Sequence, residues 1–288
     1  MKKLAFIKRN AERHWVGDGF PVRSIFSYND IAEKLSPFLL LDYAGPRHFP
    51  TTSQKLGVGQ HPHRGFETVT IVYDGEVEHR DSTGGGGTIG PGDVQWMTAA
   101  AGIVHEEFHG TEFAKRGGPF EMVQLWVNLP KKDKPAAAGY QGITNAQIPR
   151  IELPNDAGSV RVIAGEYREG KGPARTFSPM NVWDVRLNHG KKLELQVAAG
   201  YTTAFFVLKG RIQFAGGESA GEAELAVLER DGDMLSVEAS ENSTILFLNG
   251  KPLNEPIVGH GPFVMNTEDE IKQAFADYHA GRMGNLGS

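Results

Sequence analysis

The stretch His61-Pro62-His63-Arg64-Gly65-Phe66-Glu67 and its answer Val104-His105-Glu106-Glu107-Phe108-His109 decide how this chain is read. In an extended strand, residues two apart project to one face. His61 and His63 are therefore a same-face pair, and so are His105 and Glu107. If the two strands lie opposite one another, three imidazoles and one carboxylate converge. That donor set suits a divalent transition metal with coordination positions left open for water or a substrate. A closed structural zinc site fits poorly, because the chain has no cysteine. One His-x-His pair alone also fits a solvated strand. The second pair, beyond a glycine-rich turn, favours a metal.

The neighbouring residues need separate readings. If the strand runs on from His61 without a bulge, Glu67 shares the histidine face and competes with Glu107. Glu106 faces away. His109 has the parity of His105 and reads as a solvated strand end. Arg64 is placed to steady a carboxylate or a strand through a bidentate contact. Trp96 and Trp126 read as core, and Asp18 and Asp42 as turn and strand-end residues.

Composition narrows the classes. The chain has 288 residues, room for two domains of ordinary size. The net charge is −5 and no basic stripe is evident, which argues against a nucleic-acid partner. Absence of cysteine excludes a disulfide framework and thiolate ligands, and is compatible with a reducing, cytoplasmic location. The apolar run at 4–7 is too short for a secretory signal. No apolar stretch approaches the ~20 residues of a membrane span, so no membrane partner is expected.

The 36 glycines and 16 prolines fit many short strands and tight turns. Residues 38–43, 66–73 and 121–129 read as strands. Asp74-Gly75 is a hairpin signal, and 76–81 alternates outward charge. Residues 84–87 are glycine-rich but lack the Gly-Lys-Ser/Thr of a phosphate cradle, so they read as a mobile hairpin tip. Residues 131–142 read as a linker. Beyond it, 206–210 echoes 71–75 and 230–235 echoes 90–95, a weak repetition that suggests a duplicated β-barrel. The second half has no His-x-His and is expected to be metal-free. Residues 268–278 read as a helix, with Thr267 as N-cap, Glu270 three residues on, and Gly281 as the stop.

Three more motifs sharpen this picture: Pro91-Gly92-Asp93-Val94-Gln95-Trp96-Met97-Thr98-Ala99, Gly102-Ile103-Val104-His105-Glu106-Glu107 and Gln124-Leu125-Trp126-Val127-Asn128-Leu129. With the histidine stretch they resemble the pirin family of the cupins, and Glu255-Pro256-Ile257-Val258-Gly259-His260-Gly261-Pro262-Phe263 resembles its C-terminal domain. The resemblance implies an all-β bicupin: two jelly-roll-like β-barrel cupin domains with a short C-terminal helix. It implies a metal-binding domain over 1–132, a linker over 133–149, and a C-terminal domain over 150–288 that has no metal site and ends in the helix. It assigns the metal ligands to His61, His63, His105 and Glu107, and leaves Glu67 and Arg64 beside them. It further implies one divalent transition metal, iron(II) first, with nickel, copper, manganese or zinc open to the same donors. The implied activity is quercetin 2,3-dioxygenase, taking a flavonol and O2, with Glu107 as the catalytic base. The alternative is a non-enzymatic metal- or redox-sensing regulator that binds a protein partner.

Overall fold

The β-branched and aromatic runs form antiparallel sheets in the computed structural model, which describes residues 1–9 and 12–287. The chain divides into two compact units. One holds residues 12–33, 38–145 and 254 onward; the other holds the strand Leu4–Lys8, residues 34–37 and residues 146–253. The expected boundaries place the tail with the second domain and the first strand with the first. Strand pairing groups these segments differently. Leu4–Lys8 pairs with Glu224–Leu228, and the tail strand Phe263–Met265 is bridged to Arg64.

The histidine-bearing unit packs a seven-stranded sheet against a four-stranded one. The small sheet runs in the order Gly57–His63, Ile103–His109, Val77–Asp81, Gly86–Ile89. The large sheet contributes Phe66–Asp74, Val94–Thr98 and Gly118–Asn128 near the histidines. Residues 131–142 are no free connector. Gly139–Ile143 is the edge strand of the large sheet, paired with Val94–Thr98. Lys134 is buried, and its Nζ donates to Gly65 O at 2.6 Å, Asn128 Oδ1 at 2.7 Å and Val264 O at 3.0 Å. Burial lowers its ammonium to about 7.

The second unit repeats the plan with a seven-stranded and a four-stranded sheet. Its interior is apolar. Trp183 stacks on Phe247 at 4.7 Å, with Phe205, Leu195 and Val237 around them. His189, the one histidine between 146 and 253, is exposed.

The tail helix Glu268–His279 starts as its sequence implies. Thr267 Oγ1 accepts from Glu270 N at 3.2 Å, and Glu270 Oε2 accepts from Thr267 N at 3.0 Å, closing a capping box. Gly281 follows with φ 70, as a helix stop requires. Among the described residues, no helix is long and apolar enough to cross a membrane. Toward its end the helix presents Asp277. Arg64 Nη1 donates to Asp277 Oδ2 at 2.7 Å, while Gln273 Nε2 and Arg282 Nε donate to Oδ1. The helix is thereby tied to the residue that follows His63.

Removing one member of a largely buried ion pair leaves the other unpaired. Asp277→Ala is expected to destabilise the protein by about 3 kcal/mol in thermal or urea unfolding. Asp269→Ala, which breaks an exposed pair with Lys272 on the same helix, should cost much less. Equal losses would contradict the anchoring role of Asp277.

Candidate metal centre

His105 lies directly opposite His61 in the antiparallel pairing of Ile103–His109 with Gly57–His63. The ring centroids are close: 4.2 Å for His61 and His105, 4.9 Å for His61 and His63, 4.9 Å for His63 and His105. One metal-capable nitrogen from each falls within 4.8 Å of the others. His63 and His105 are buried; His61 is partly exposed. Burial, and then the neighbouring His61, hold His63 and His105 well below the ordinary histidine range. Those two rings are neutral at physiological pH and can offer a lone pair.

The ring hydrogens are set by backbone. His61 Nδ1 lies 2.8 Å from Gly59 O, and His63 Nδ1 lies 3.3 Å from Pro262 O. A carbonyl only accepts, so each Nδ1 carries a hydrogen, and in the neutral ring Nε2 is then the bare nitrogen. His105 Nε2 is buried and has no hydrogen-bond partner. A buried acceptor without a donor is costly, and a divalent metal would relieve it. The donor set fits such an ion.

Glu107 sits to one side of this trio. Between the pairs His61–His105 and Val58–Glu107 the Gly57–His63 strand has one residue more than its partner, a β-bulge. The carboxylate groups within 4.8 Å with His105 and His79, a second metal-capable set among the described residues. It is tethered: Gln95 Nε2 donates to Oε1 at 2.5 Å, Thr70 Oγ1 to Oε1 at 3.3 Å, and Gln124 Nε2 to Oε2 at 2.9 Å. Glu107 and His61 line a cavity of about 30 Å³ with Asp42, Gln124, Phe20 and Met122.

The other expected residues fall as follows. Glu67 is not on the histidine face. The turn at Gly65 (φ 92) breaks the strand, so Phe66 and Thr70 face the site while Glu67 points the other way. Its Oε1 accepts from Thr98 Oγ1 at 2.7 Å. Burial pushes it up to about 7 against that bond. Arg64 faces Asp277 and also donates from Nε to Ala101 O at 2.7 Å, so it braces the strand rather than a ligand. Glu106 points outward to Arg80 at 2.6 Å. His109 is buried, not solvated: it stacks on Phe120 at 4.7 Å and bonds Gly19 O through Nε2 at 2.8 Å. Asp18 accepts from Gly57 N, a turn role. Trp126 packs 5.2 Å from His63.

Comparison with known proteins gives this arrangement its context. The family model described as pirin matches residues 19–127, and that described as the pirin C-terminal cupin domain matches residues 182–284. The chain belongs to the pirin family. It is 59% identical over 98% of both chains to a Pseudomonas aeruginosa protein provisionally named a quercetin 2,3-dioxygenase. It is 36% identical to mouse pirin, over 89% of this chain and 86% of that one. A crystal structure from Acinetobacter baumannii, named as quercetin 2,3-dioxygenase, is 54% identical with TM-score 0.97 over 100% of both chains. This pirin is a bicupin, as the sheets of its two units indicate.

Four residues around the histidines of this pirin escape a reading of motifs. His79 and Asp81 are buried within a strand whose charges look outward in sequence. The signal is the alternation Val77, His79, Asp81 against Glu78 and Arg80. Gln95 reaches Glu107, and Tyr140 stacks flat on His79 at 5.0 Å. Burial, with Glu107 and Asp81 nearby, pushes Tyr140 up to about 12. Burial would raise Asp81, but bonds from His79 and Thr83 outweigh it and hold the carboxyl at about 2.

Glu67 generates a pH-dependent prediction. Its carboxyl titrates higher in the folded than in the unfolded chain, so between about 4.5 and about 7 the folded state binds more protons. Stability must therefore fall as pH rises through that window. Glu67→Gln keeps the Thr98 bond and removes the charge. It is expected to match wild type near pH 4.5 and to exceed it above pH 7.5, by on the order of 3 kcal/mol. Melting temperatures across that range check it.

Proposed function

We propose that this pirin is a metal-dependent dioxygenase that cleaves quercetin-like flavonols with O2. The observation that carries the reading is the convergence of three imidazoles, with His105 Nε2 buried and unpartnered. The names of its relatives support the substrate class. His61, His63 and His105 would hold one metal, and Glu107 would complete the set. Iron(II) is the first choice, with nickel, copper, manganese and zinc open to the same donors. When bound, such an ion supplies Lewis acidity toward the flavonol 3-hydroxyl and access to the redox chemistry of dioxygen.

The residues do the rest. Glu107 accepts the 3-hydroxyl proton at a carboxylate oxygen. Gln95, Thr70 and Gln124 donate to that carboxylate and hold its direction before substrate arrives. Phe66 and Trp126, stacked at 4.2 Å, wall His63 from water on its other side.

A second reading has its own observation. The cavity at His61 and Glu107 measures about 30 Å³, room for a water or two. Ligand pockets for drug-sized molecules are ~300–1,000 Å³. A cavity this small favours a metal-sensing regulator that binds a protein partner, unless the walls move to admit a flavonol.

Quercetin loss followed at its visible band, with iron, nickel, copper and manganese supplied in turn, separates the two. Under the enzyme reading at least one metal supports turnover, and Glu107→Gln lowers it by about 10²–10⁴-fold while lowering metal content far less. Turnover no higher than the metal-free blank with every metal sinks the enzyme reading. The double variant His61→Ala, His63→Ala should carry no metal by elemental analysis; metal content equal to wild type would remove the ligand assignment.

A further inference from the structure

We infer that Asp81 and His79 are positioning residues: through a chain of hydrogen bonds they decide which nitrogen of His105 is bare. The inference rests on the reading of His61, His63 and His105 as a metal centre. The chain can be followed atom by atom. Asp81 Oδ1 is saturated by Thr83 N at 2.8 Å, Thr83 Oγ1 at 2.6 Å and Gly85 N at 3.1 Å. Asp81 Oδ2 is left for His79 Nε2 at 3.1 Å. A carboxylate only accepts, so His79 carries its hydrogen on Nε2, and in the neutral ring Nδ1 is an acceptor. That one lone pair faces His105 Nδ1 at 3.3 Å, with Gln95 Nε2 beside it at 3.4 Å. His105 therefore carries its hydrogen on Nδ1, and its Nε2, the atom with no partner, is left bare in a ring whose centroid lies 4.2 Å from that of His61 and 4.9 Å from that of His63. Under this assignment the single lone pair of His79 Nδ1 takes the His105 hydrogen, and the two hydrogens of Gln95 Nε2 have Glu107 Oε1 and Thr70 Oγ1 as acceptors.

The surroundings hold the chain in place. His79 and Asp81 are both buried, and their side chains are wholly shielded from solvent. Tyr140 lies flat on the His79 ring, 13° from parallel. A Cβ at Gly85 would come within 2.5 Å of Asp81 Oδ2, so the turn that saturates the carboxylate needs a glycine there. His79 also sits opposite Glu107, and Asp81 opposite His105, in the strand pairing. Outer partners of this kind orient a ligand histidine and raise its basicity.

The variant Asp81→Asn tests direction as well as strength. The amide oxygen is the only acceptor left for Thr83 and Gly85, so the NH2 faces His79 and reverses the chain. His79 would then carry hydrogen on Nδ1, and His105 on Nε2, where it blocks a metal. Cobalt(II) binding and its ligand-field spectrum are measured for wild type, Asp81→Asn, His79→Phe and His61→Ala. Both Asp81→Asn and His79→Phe are expected to weaken cobalt binding by about 10–100-fold and to shift the spectrum. Wild-type affinity and spectrum in both, with binding lost in His61→Ala, overturns the relay and leaves the centre standing. A wild type that binds no cobalt overturns both. If a variant does not fold, long-range 1H–15N correlation on histidine-labelled wild type decides: Nε2–H in His79 and Nδ1–H in His105 are expected, and the opposite pair of tautomers overturns the inference.

Discussion

The register that sets His61 against His105 is the constraint on which the centre depends. Side chains alternate along a strand, so a slip of one residue in either strand would turn that strand's imidazoles out of the barrel. Close backbone packing fixes this register. A Cβ at Gly57 would lie 2.2 Å from Glu107 O, so only glycine allows the two strands to meet there. Apolar burial reinforces it. Ile103 and Val77 turn inward on the same strands that carry His105 and His79, and both are fully buried. A misregistered sheet would expose them along with the histidines.

How much of this was legible in the sequence follows from the range of each interaction. The parity of His61 and His63 is local, and period two suffices to place that pair on one face; that His105 faces them depends on the pairing of two strands. Thr267 and Glu270 are equally local, and the helix start reads directly from them. Glu67 defeats the same rule because Gly65 breaks the strand between it and His63. His79 and Asp81 were hidden by their company: Glu76, Glu78 and Arg80 make the strand look solvated, and nothing local says which alternate residues find buried partners. His109 looks equally polar, yet four phenylalanines enclose it. The tail is the extreme case, since Asp277 meets Arg64 across 213 residues of chain.

The two units solve one packing problem with different chemistry. Both set a seven-stranded sheet against a four-stranded one. In the second, the interior is filled by Trp183, Phe205, Phe247 and smaller apolar residues. In the first, the corresponding space takes imidazoles, amides and carboxylates. Buried polar groups are tolerated only when each has a partner. The lattice of Thr70, Gln95, Gln124, Asp81 and Thr83 supplies partners to Glu107 and His79, and leaves His105 Nε2 and Gln95 Oε1 open.

The carbonyl that orients His63 belongs to Pro262, 199 residues further along the chain. A ribosome makes the chain from the N-terminus, at roughly 5–20 residues per second. His61, His63 and His105 thus emerge about ten seconds or more before the segment that braces the strand they stand on. During that interval the imidazoles can gather, but Arg64 has no Asp277 and His63 no Pro262. Metal acquisition with a fixed geometry is in this sense a late event of biosynthesis, completed when the tail folds back onto a barrel that preceded it.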